Sequence, residues 1–173
     1  VEALYSLGTL ERVRESETTM PTILATEAPT LYMKEGKHPL LDPAKVVGND
    51  YAQGGETVII TGSNMSGKST FMRTLAMNAV LAYAGGVVMA ADFQVSPMRL
   101  FSSMRVKDDV SEGISSFYGE ILRIKEMVQY AEKQEPMLVL VDEIFKGTNS
   151  TDRIIGARAA IEKLTKPWMM TVV

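Results

Sequence analysis

The stretch TVIITGSNMSGKSTF, residues 57–71, places a run of β-branched residues directly before a glycine-rich segment that ends in lysine and serine. The segment fits the pattern G-x4-G-K-[ST], which arises by chance in roughly one chain in a few hundred at this length and ordinary composition. β-Branched residues favour a strand, and the residues after Lys68 are apolar along their length, as in a helix that packs on a sheet. The sequence therefore predicts a strand, a phosphate-binding turn and a helix, in that order.

The glycine-rich segment has the composition that a phosphate-binding loop needs. Backbone amides at a helix start supply several hydrogen-bond donors at close range when the loop carries no bulky side chains. In this pattern Lys68 reaches the β- and γ-phosphates as a catalytic residue, and the Ser69 hydroxyl is a ligand of Mg²⁺. A turn that merely links a strand to a helix is the alternative, which the strand-and-helix context disfavours. The predicted nucleotide-binding residues here are Gly62, Ser63, Asn64, Met65, Ser66, Gly67, Lys68, Ser69 and Thr70.

A second candidate site lies within MLVLVDEIFKGTNSTD, residues 137–152. Its first five residues are fully apolar, which is typical of a strand in the middle of a parallel sheet. Carboxylates that follow such a strand lie at the carboxyl edge of the sheet, where open α/β folds bind ligands. We therefore predict that Asp142 holds Mg²⁺ through water and that Glu143 polarises the attacking water in ATP hydrolysis. Two acids in a solvated loop are the alternative, and the phosphate-loop pattern disfavours it.

Strand and helix patterns alternate along the chain after residue 54. Apolar residues at helical spacing predict helices at residues 1–16, 68–84, 115–133 and 151–164. Strands are predicted at residues 57–61, 86–90, 97–104 and 137–141, and from residue 168 onward. Residues 17–50 hold four of the seven prolines, which predicts a loop with short extended pieces such as TLYM. The expected fold is α/β, a P-loop NTPase with a mainly parallel sheet flanked by helices.

Composition narrows the function classes. The chain of 173 residues, 46% of them hydrophobic, is expected to form one ordinary domain. The absence of cysteine excludes disulfides and thiolate catalysis, and the single histidine, His38, excludes a multi-histidine metal site. A net charge of −3 argues against a large basic surface, so DNA would be gripped mainly elsewhere. With no membrane segment or signal peptide evident, we expect a cytoplasmic location, on the nucleoid when DNA is bound.

Four ordered blocks carry a resemblance to a known family. TGSNMSGKSTFMRTLA, residues 61–76, resembles the phosphate loop T-G-P-N-M-G/S-G-K-S-T of the MutS family of DNA mismatch repair ATPases. DDVSEGISSFYGEI, residues 108–121, is similar to the family's D-D-L-x-x-G-x-S-T-F-x-x-E-M. VDEIFKGTNSTD, residues 141–152, is similar to M-D-E-x-G-R-G-T-S-T-x-D. KEGKHPLL and VVGNDY, residues 34–41 and 46–51, resemble the loop pair that borders the adenine.

The resemblance covers residues 31–173 and implies a C-terminal ABC-like ATPase domain. Residues 1–30 then correspond to the end of the helical lever, or connector, that leads into this domain. Because the family pattern continues past the position of Val173, the resemblance implies an incomplete domain, truncated at its C-terminus. It also implies a homodimer through the ATPase face, with ATP and Mg²⁺ as cofactors and with DNA engaged by domains outside this segment.

Further site residues follow from the resemblance alone. It places Asn64 near the γ-phosphate and the attacking water, as a catalytic residue, and His38 and Val47 beside the adenine. It gives the loop Ser115, Ser116 and Phe117 the role of completing the ATP site of the partner subunit. The expected D-loop residues are Thr148, Asn149, Ser150 and Asp152. Two alternatives stay open, since His38 before a proline is also a turn residue and Ser115 or Ser116 can cap its own helix.

The chain departs from the family pattern at three places. Ser63 replaces the usual proline, IFKG replaces I-G-R-G, and Ile114 replaces a common arginine, which together suggest a divergent branch. An ABC-type ATPase of transport or chromosome maintenance is one rival, but it would carry L-S-G-G-Q where this chain has GISSF. A nucleotide-gated scaffold without turnover is a second rival, disfavoured by the intact Asp142–Glu143 pair. A P-loop kinase would normally need lid arginines, and no such lid segment is evident.

Overall fold

The structure is a computed structural model of the chain. It describes residues 2–42, 44–63, 66–104, 113–145 and 150–173, with the backbone alone at residues 3, 4, 113–116 and 150. Two compact units divide the chain: Val1–Gly54 with Gly62–Pro97, and Gly55–Thr61 with Met98–Val173. We call them the first and the second unit. The proposed boundary between residues 1–30 and 31–173 stays a prediction.

The described residues form α-helices and short strands in alternation. The helices are α1 Glu2–Val13, α2 Lys68–Tyr83, α3 Gly113–Ala131 and α4 Ser150–Lys163, and a 3₁₀ helix spans Glu15–Glu17. The strands are β1 Thr22–Ile23, β2 Thr30–Gly36, β3 Asn49–Gly54, β4 Thr57–Val58, β5 Asp92–Val95, β6 Arg99–Ser103, β7 Met137–Val141 and β8 Met169–Val172. The four predicted helices are confirmed. None of the helices in these residues is long and apolar enough to cross a membrane.

The first unit is built on a mixed sheet in the order β1-β5-β2-β3. Strand β5 runs parallel to β1 and antiparallel to β2, and β2 is also antiparallel to β3. Alternate residues of β2 and β5 point into the core, because successive side chains of a strand face opposite sides. Strand β2 begins with TLYM, which was predicted to be a short extended piece, so that prediction is confirmed. The sequence did not predict this sheet. Its fully buried residues include Leu31, Met33, Phe93 and Val95, and α2 adds Met72, Leu75 and Ala79.

One strand prediction in the first half of the chain needs correction. The apolar run Gly86–Ala90 is buried but is not a strand, since its β-pairing is confined to one isolated bridge between Thr19 and Val88. The strand is instead β5, which begins two residues after the end of this run and in which D-F-Q-V alternates in burial. Burial of an apolar run requires only core contacts and does not require a hydrogen-bonded ladder. The run supplies part of the core beside the sheet.

The second unit contains a fully parallel sheet in the order β4-β8-β7-β6. All five residues of β7 are completely buried, as predicted for a central strand. Strand β4 is shorter than the predicted strand 57–61, although the Ile60 amide still donates to the Val173 carbonyl at 2.7 Å. The α/β class is confirmed, with a mixed and a parallel sheet of four strands each in place of one mainly parallel sheet. Helices α3 and α4 bury Ile124, Met127, Ala131 and Ala160 in the core of this unit, and Leu164, directly after α4, joins them.

Candidate functional site

In the first unit, the loop that precedes α2 bends at its two glycines. Gly67, directly before α2, has a φ of +88°, a left-handed backbone conformation that residues other than glycine rarely adopt. A Cβ atom on Gly62 would lie 2.8 Å from the Ser66 hydroxyl oxygen, so this position also excludes a side chain. The Ser66 amide and hydroxyl both donate to the Ser63 carbonyl, at 3.1 and 2.8 Å. We call residues 62–67 the glycine loop; the structure describes residues 62, 63, 66 and 67 of it.

Lys68 folds back over the glycine loop. Its ammonium donates to the carbonyl oxygens of Gly62, at 2.5 Å, and Ser63, at 3.1 Å. The first turn of α2 contains no acidic residue, so nothing on the helix neutralises the partial positive charge of its N-terminus. The loop therefore brings an ammonium group and the unpaired amides of a helix start to one place. This combination suits a polyanion, which would compete with the two carbonyls for the ammonium.

His38 lies in a turn and is buried. Its Nδ1 accepts a hydrogen bond from the Leu40 amide at 3.2 Å, and its carbonyl accepts one from Leu41 at 3.2 Å. Burial, and then the positive charge of Arg73 on α2, lower the pKa of His38 below its usual 6.5. The turn role left open by the sequence is therefore present in the structure. An adenine contact stays a prediction.

A buried amide fixes α2 against the turn that contains His38. The Asn78 side chain is completely buried; its Nδ2 donates to the carbonyls of Lys37, at 3.1 Å, and Thr74, at 2.9 Å. Its Oδ1 accepts from the Met89 amide at 2.8 Å. An amide with its donors and acceptor all paired in the core specifies one position of the helix. Sequence reasoning missed Asn78, because a single polar residue inside an apolar helix carries no signal of its partners.

The Val47 side chain, predicted to border the adenine, is 75% exposed. Its loop approaches β2 closely, since a Cβ on Gly48 would lie 2.4 Å from a carboxylate oxygen of Glu35 and 3.2 Å from its Cα. The Glu35 amide in turn donates to Asp50 at 2.7 Å. An exposed aliphatic side chain on a well-fixed loop is suitable for contact with a flat base. That role stays a prediction.

In the second unit, the candidate carboxylates follow β7 in a turn that we call the post-β7 turn, residues 142–145. The Asp142 amide donates to the Ser103 carbonyl at 2.9 Å, which extends the pairing of β7 with β6. Both Asp142 and Glu143 are half-buried. Glu143 has a φ of +56° and Phe145 a φ of +55°. Two left-handed residues other than glycine in four positions are uncommon and energetically costly, so neighbouring structure has to hold them.

Two helices hold the post-β7 turn. The Phe145 amide donates to a carboxylate oxygen of Glu120 on α3 at 2.5 Å. The Phe145 ring meets that of Phe117 edge-on, with centroids 6.2 Å apart. On α4, Gly156 leaves room for the same ring, since a Cβ there would lie 3.2 Å from it. Sequence reasoning gave Glu120 no role, although the family pattern F-x-x-E marks its position.

Several predicted site residues lie outside what the structure describes. These are Asn64, Met65, Thr148 and Asn149, together with the side chains of Ser115, Ser116 and Ser150. Of the remaining predicted residues, Asp152 is exposed in the first turn of α4, where its charge complements the helix dipole. Phe117 packs on Phe145 of its own chain, and its proposed action on a partner subunit stays a prediction. Ser69 and Thr70 lie in the first turn of α2.

The donor chemistry of the predicted magnesium ligands fits the ion. The described residues contain no group of three or more His, Cys, Asp or Glu that could hold a metal by itself. Mg²⁺ in phosphate-transfer sites is commonly held by one or two protein oxygens together with substrate phosphates, and it retains waters. The Ser69 hydroxyl and the Asp142 carboxylate are oxygen donors of that kind. Each of these donors is therefore of a kind that Mg²⁺ accepts, and their joint binding of one ion stays a prediction.

The fold and these features are those of an α/β protein with a glycine loop at a helix start. The family model of MutS domain V matches residues 58–172, which is more than half of the chain, and the chain therefore belongs to the MutS family. The chain is 38% identical over 139 residues to the DNA mismatch repair protein MutS of Haloquadratum walsbyi, covering 78% of this chain and 15% of that protein. It is 34% identical over 169 residues to the DNA mismatch repair protein MutS of Pelotomaculum thermopropionicum, covering 93% of this chain and 19% of that protein. The chain thus spans less than a fifth of the length of these relatives.

Proposed function

We propose that this chain is a Mg²⁺-dependent ATPase segment of a MutS-like DNA repair protein, with an ABC-like P-loop fold. In this proposal ATP binding and hydrolysis rearrange a dimer and alter the engagement of DNA by domains outside this segment. The relatives are named DNA mismatch repair proteins. The three departures from the family pattern favour a divergent branch.

The glycine loop is the observation that carries the proposal. A triphosphate needs donors on several sides, and here the left-handed Gly67 turns the backbone into a helix start whose amides have no partner within the helix. Lys68 contributes a charged donor that already lies over the loop, at hydrogen-bonding distance from the Gly62 and Ser63 carbonyls. A turn that only linked a strand to a helix would have no need of either feature.

The second unit supplies the groups for hydrolysis in this proposal. Glu143 polarises the attacking water, and the buried strand β7 gives it and Asp142 a rigid support. Mg²⁺, held by Asp142 and Ser69, would neutralise charge on the β- and γ-phosphates. Asn64 assists near the γ-phosphate, and His38 and Val47 border the adenine. The loop Ser115–Phe117 completes the site of the partner subunit, and Thr148–Asp152 forms the D-loop region.

The proposal is tested in the full-length natural protein by two substitutions. Glu143→Gln should retain ATP affinity and lower turnover by roughly 100-fold or more, because the amide cannot act as a general base. Lys68→Ala should weaken ATP binding by about 10- to 100-fold, since it removes a charged hydrogen-bond donor. Binding is measured by isothermal titration with ATP·Mg²⁺, and turnover by phosphate release.

Glu126→Gln is the matched control, because Glu126 is exposed on α3 and lies away from the proposed site residues in sequence. It should leave both measurements unchanged. A Glu143→Gln protein that hydrolyses ATP at the parent rate would remove Glu143 from its role. A parent protein that binds ATP without turnover would instead favour the nucleotide-gated scaffold.

A further inference from the structure

The post-β7 turn has a conformation that its own residues do not favour. Glu143 and Phe145 are both left-handed, with φ of +56° and +55°, and neither has the freedom of glycine at these angles. The two residues flank Ile144, which is buried. The backbone at Glu143 sets where its side chain leaves the turn. The direction of this carboxylate therefore depends on whatever holds the turn.

The backbone of this turn is held from outside at both ends, at its start by the bond of the Asp142 amide to the Ser103 carbonyl and at its end by a bond to Glu120. The carboxylate of Glu120 accepts from the Phe145 amide at 2.5 Å, across 25 positions of sequence. A carboxylate makes a stronger bond to an amide than a neutral acceptor does. Glu120 is half-buried, so water competes only partly for this bond.

Ring contacts hold the Phe145 side chain but do not determine the orientation of its backbone amide. The ring lies between Phe117 of α3, at 6.2 Å between centroids, and the Cβ-less face of Gly156 on α4. Such contacts fix where the ring lies and do not by themselves fix φ at Phe145 or at Glu143. The Glu120 carboxylate therefore holds the peptide plane between Ile144 and Phe145, at the end of the turn opposite Asp142.

We propose that Glu120 is a positioning residue for ATP hydrolysis: it holds the post-β7 turn through the Phe145 amide and so directs the Glu143 carboxylate. The inference rests on the proposed function, because it assumes that Glu143 polarises the attacking water. It adds a residue of α3 that does not touch the nucleotide in this account. Residues Ser115–Phe117 lie at the start of the same helix, α3, so a movement of α3 would be transmitted to Glu143 through the Glu120 side chain.

The experiment compares two replacements of Glu120 in the full-length natural protein. Glu120→Met keeps the length of the side chain and its helix propensity but removes the acceptor. Glu120→Gln keeps an acceptor oxygen. Steady-state kinetics give kcat and KM for ATP, and hydrogen exchange reports the Phe145 amide. Glu126→Met, an exposed position on the same helix, is the matched control.

The methionine variant should lower kcat by about 10-fold or more, because a misplaced catalytic group loses rate steeply with distance. Its KM should stay within about 2-fold, and the Phe145 amide should exchange at least about 10-fold faster. The glutamine variant should stay within about 3-fold of the parent in kcat. If the methionine variant does not fold, Glu120→Asp carries the same prediction, since the shorter side chain withdraws the acceptor.

Three results would overturn the proposal in distinguishable ways. Unchanged exchange at Phe145 would show that Glu120 does not hold the turn. Faster exchange with the parent kcat would show that the turn is held but that Glu143 does not depend on it. A parent protein that does not hydrolyse ATP would overturn the proposed function itself, and the exchange measurement would still decide whether Glu120 holds the turn.

Discussion

The glycine loop before α2 and the post-β7 turn both redirect the chain sharply, and they do so by different means. The loop bends at Gly62 and Gly67, and the hydrogen bonds of Ser66 and Lys68 are made within the loop itself. The post-β7 turn bends at residues with side chains, and its partners come from α3 and α4. The first bend is supported locally, whereas the second is supported by residues far away in sequence.

This difference predicts how each bend responds to substitution. A local bend fails when a glycine is replaced, because its support comes from the loop itself. A bend held by tertiary contacts fails when the contacts are removed. Replacing its strained residue by glycine restores part of the lost stability. Stability measurements can separate these two behaviours.

The largest change in the free energy of unfolding is expected at Phe145. Phe145→Ala should lower the free energy of unfolding by about 2 kcal/mol, because it removes a half-buried ring that packs on Phe117 and on the face of Gly156. Phe145→Gly removes the same ring but relieves the left-handed φ, so it should be about 1 kcal/mol more stable than the alanine variant. Urea unfolding of both variants measures the difference. If the glycine variant is the less stable of the two, the turn is not strained at Phe145.

The second-largest change in stability is expected at Gly67, and the same substitution at Gly119 is the control. A Cβ on Gly67 or on Gly119 of α3 would meet no atom within 4 Å, so the two positions differ in backbone conformation and not in space. Gly67→Ala should lose about 1 kcal/mol of stability at φ +88°. Gly119→Ala should gain about 0.5–1 kcal/mol, because alanine favours a helix interior. Equal changes at both positions would contradict the local origin of the glycine loop.

The smallest effect is expected at His38, the single histidine of the chain. Because burial and Arg73 lower its pKa in the folded state, the unfolded chain binds more protons just below pH 6.5. The free energy of unfolding contributed by His38 is therefore complete above that pH and falls as the pH drops towards the folded pKa. The slope cannot exceed that of one proton, about 1.4 kcal/mol per pH unit.

His38→Asn isolates this contribution, since its side-chain oxygen can replace Nδ1 as acceptor for the Leu40 amide. Urea unfolding of the parent and variant between pH 5 and 8 should give curves that diverge towards low pH. Parallel curves over this range would show that His38 titrates normally in the folded protein.

Local pattern predicted the helices and the central strand well, and long-range pairing less well. Helix α2 was predicted from the apolar residues along its segment and strand β7 from a fully apolar run. Both patterns depend only on residues that are close in sequence. Strand β2 was predicted only as the short extended piece TLYM, because its antiparallel partners β3 and β5, which supply the stabilising ladder, lie elsewhere in the chain. The apolar run Gly86–Ala90 was mistaken for a strand, since core burial and strand pairing favour the same residue types.

The residues at the candidate site likewise fall into two groups, those predicted from local sequence and those not predicted. Gly67, Lys68, Asp142 and Glu143 were predicted as site residues from spacing, because a phosphate loop and a strand-end carboxylate each require fixed residue types in a short stretch. Asn78 and Glu120 were not found from their chemistry. Each acts through a partner at least 11 positions away, the Met89 amide and the Phe145 amide respectively. Spacing along the chain carries no information about such partners.

The sequence by itself determined the order of helices, the central strand of the parallel sheet and the glycine loop, all of which depend on neighbouring residues. Tertiary structure alone decided that residues 30–54 form part of a mixed sheet and that Glu120 meets the post-β7 turn. The physical reason is that backbone amides and carbonyls can form hydrogen bonds with any partner of suitable geometry. Which partner they meet is fixed only when the elements pack, and in the post-β7 turn that packing also holds a conformation that the local residues disfavour.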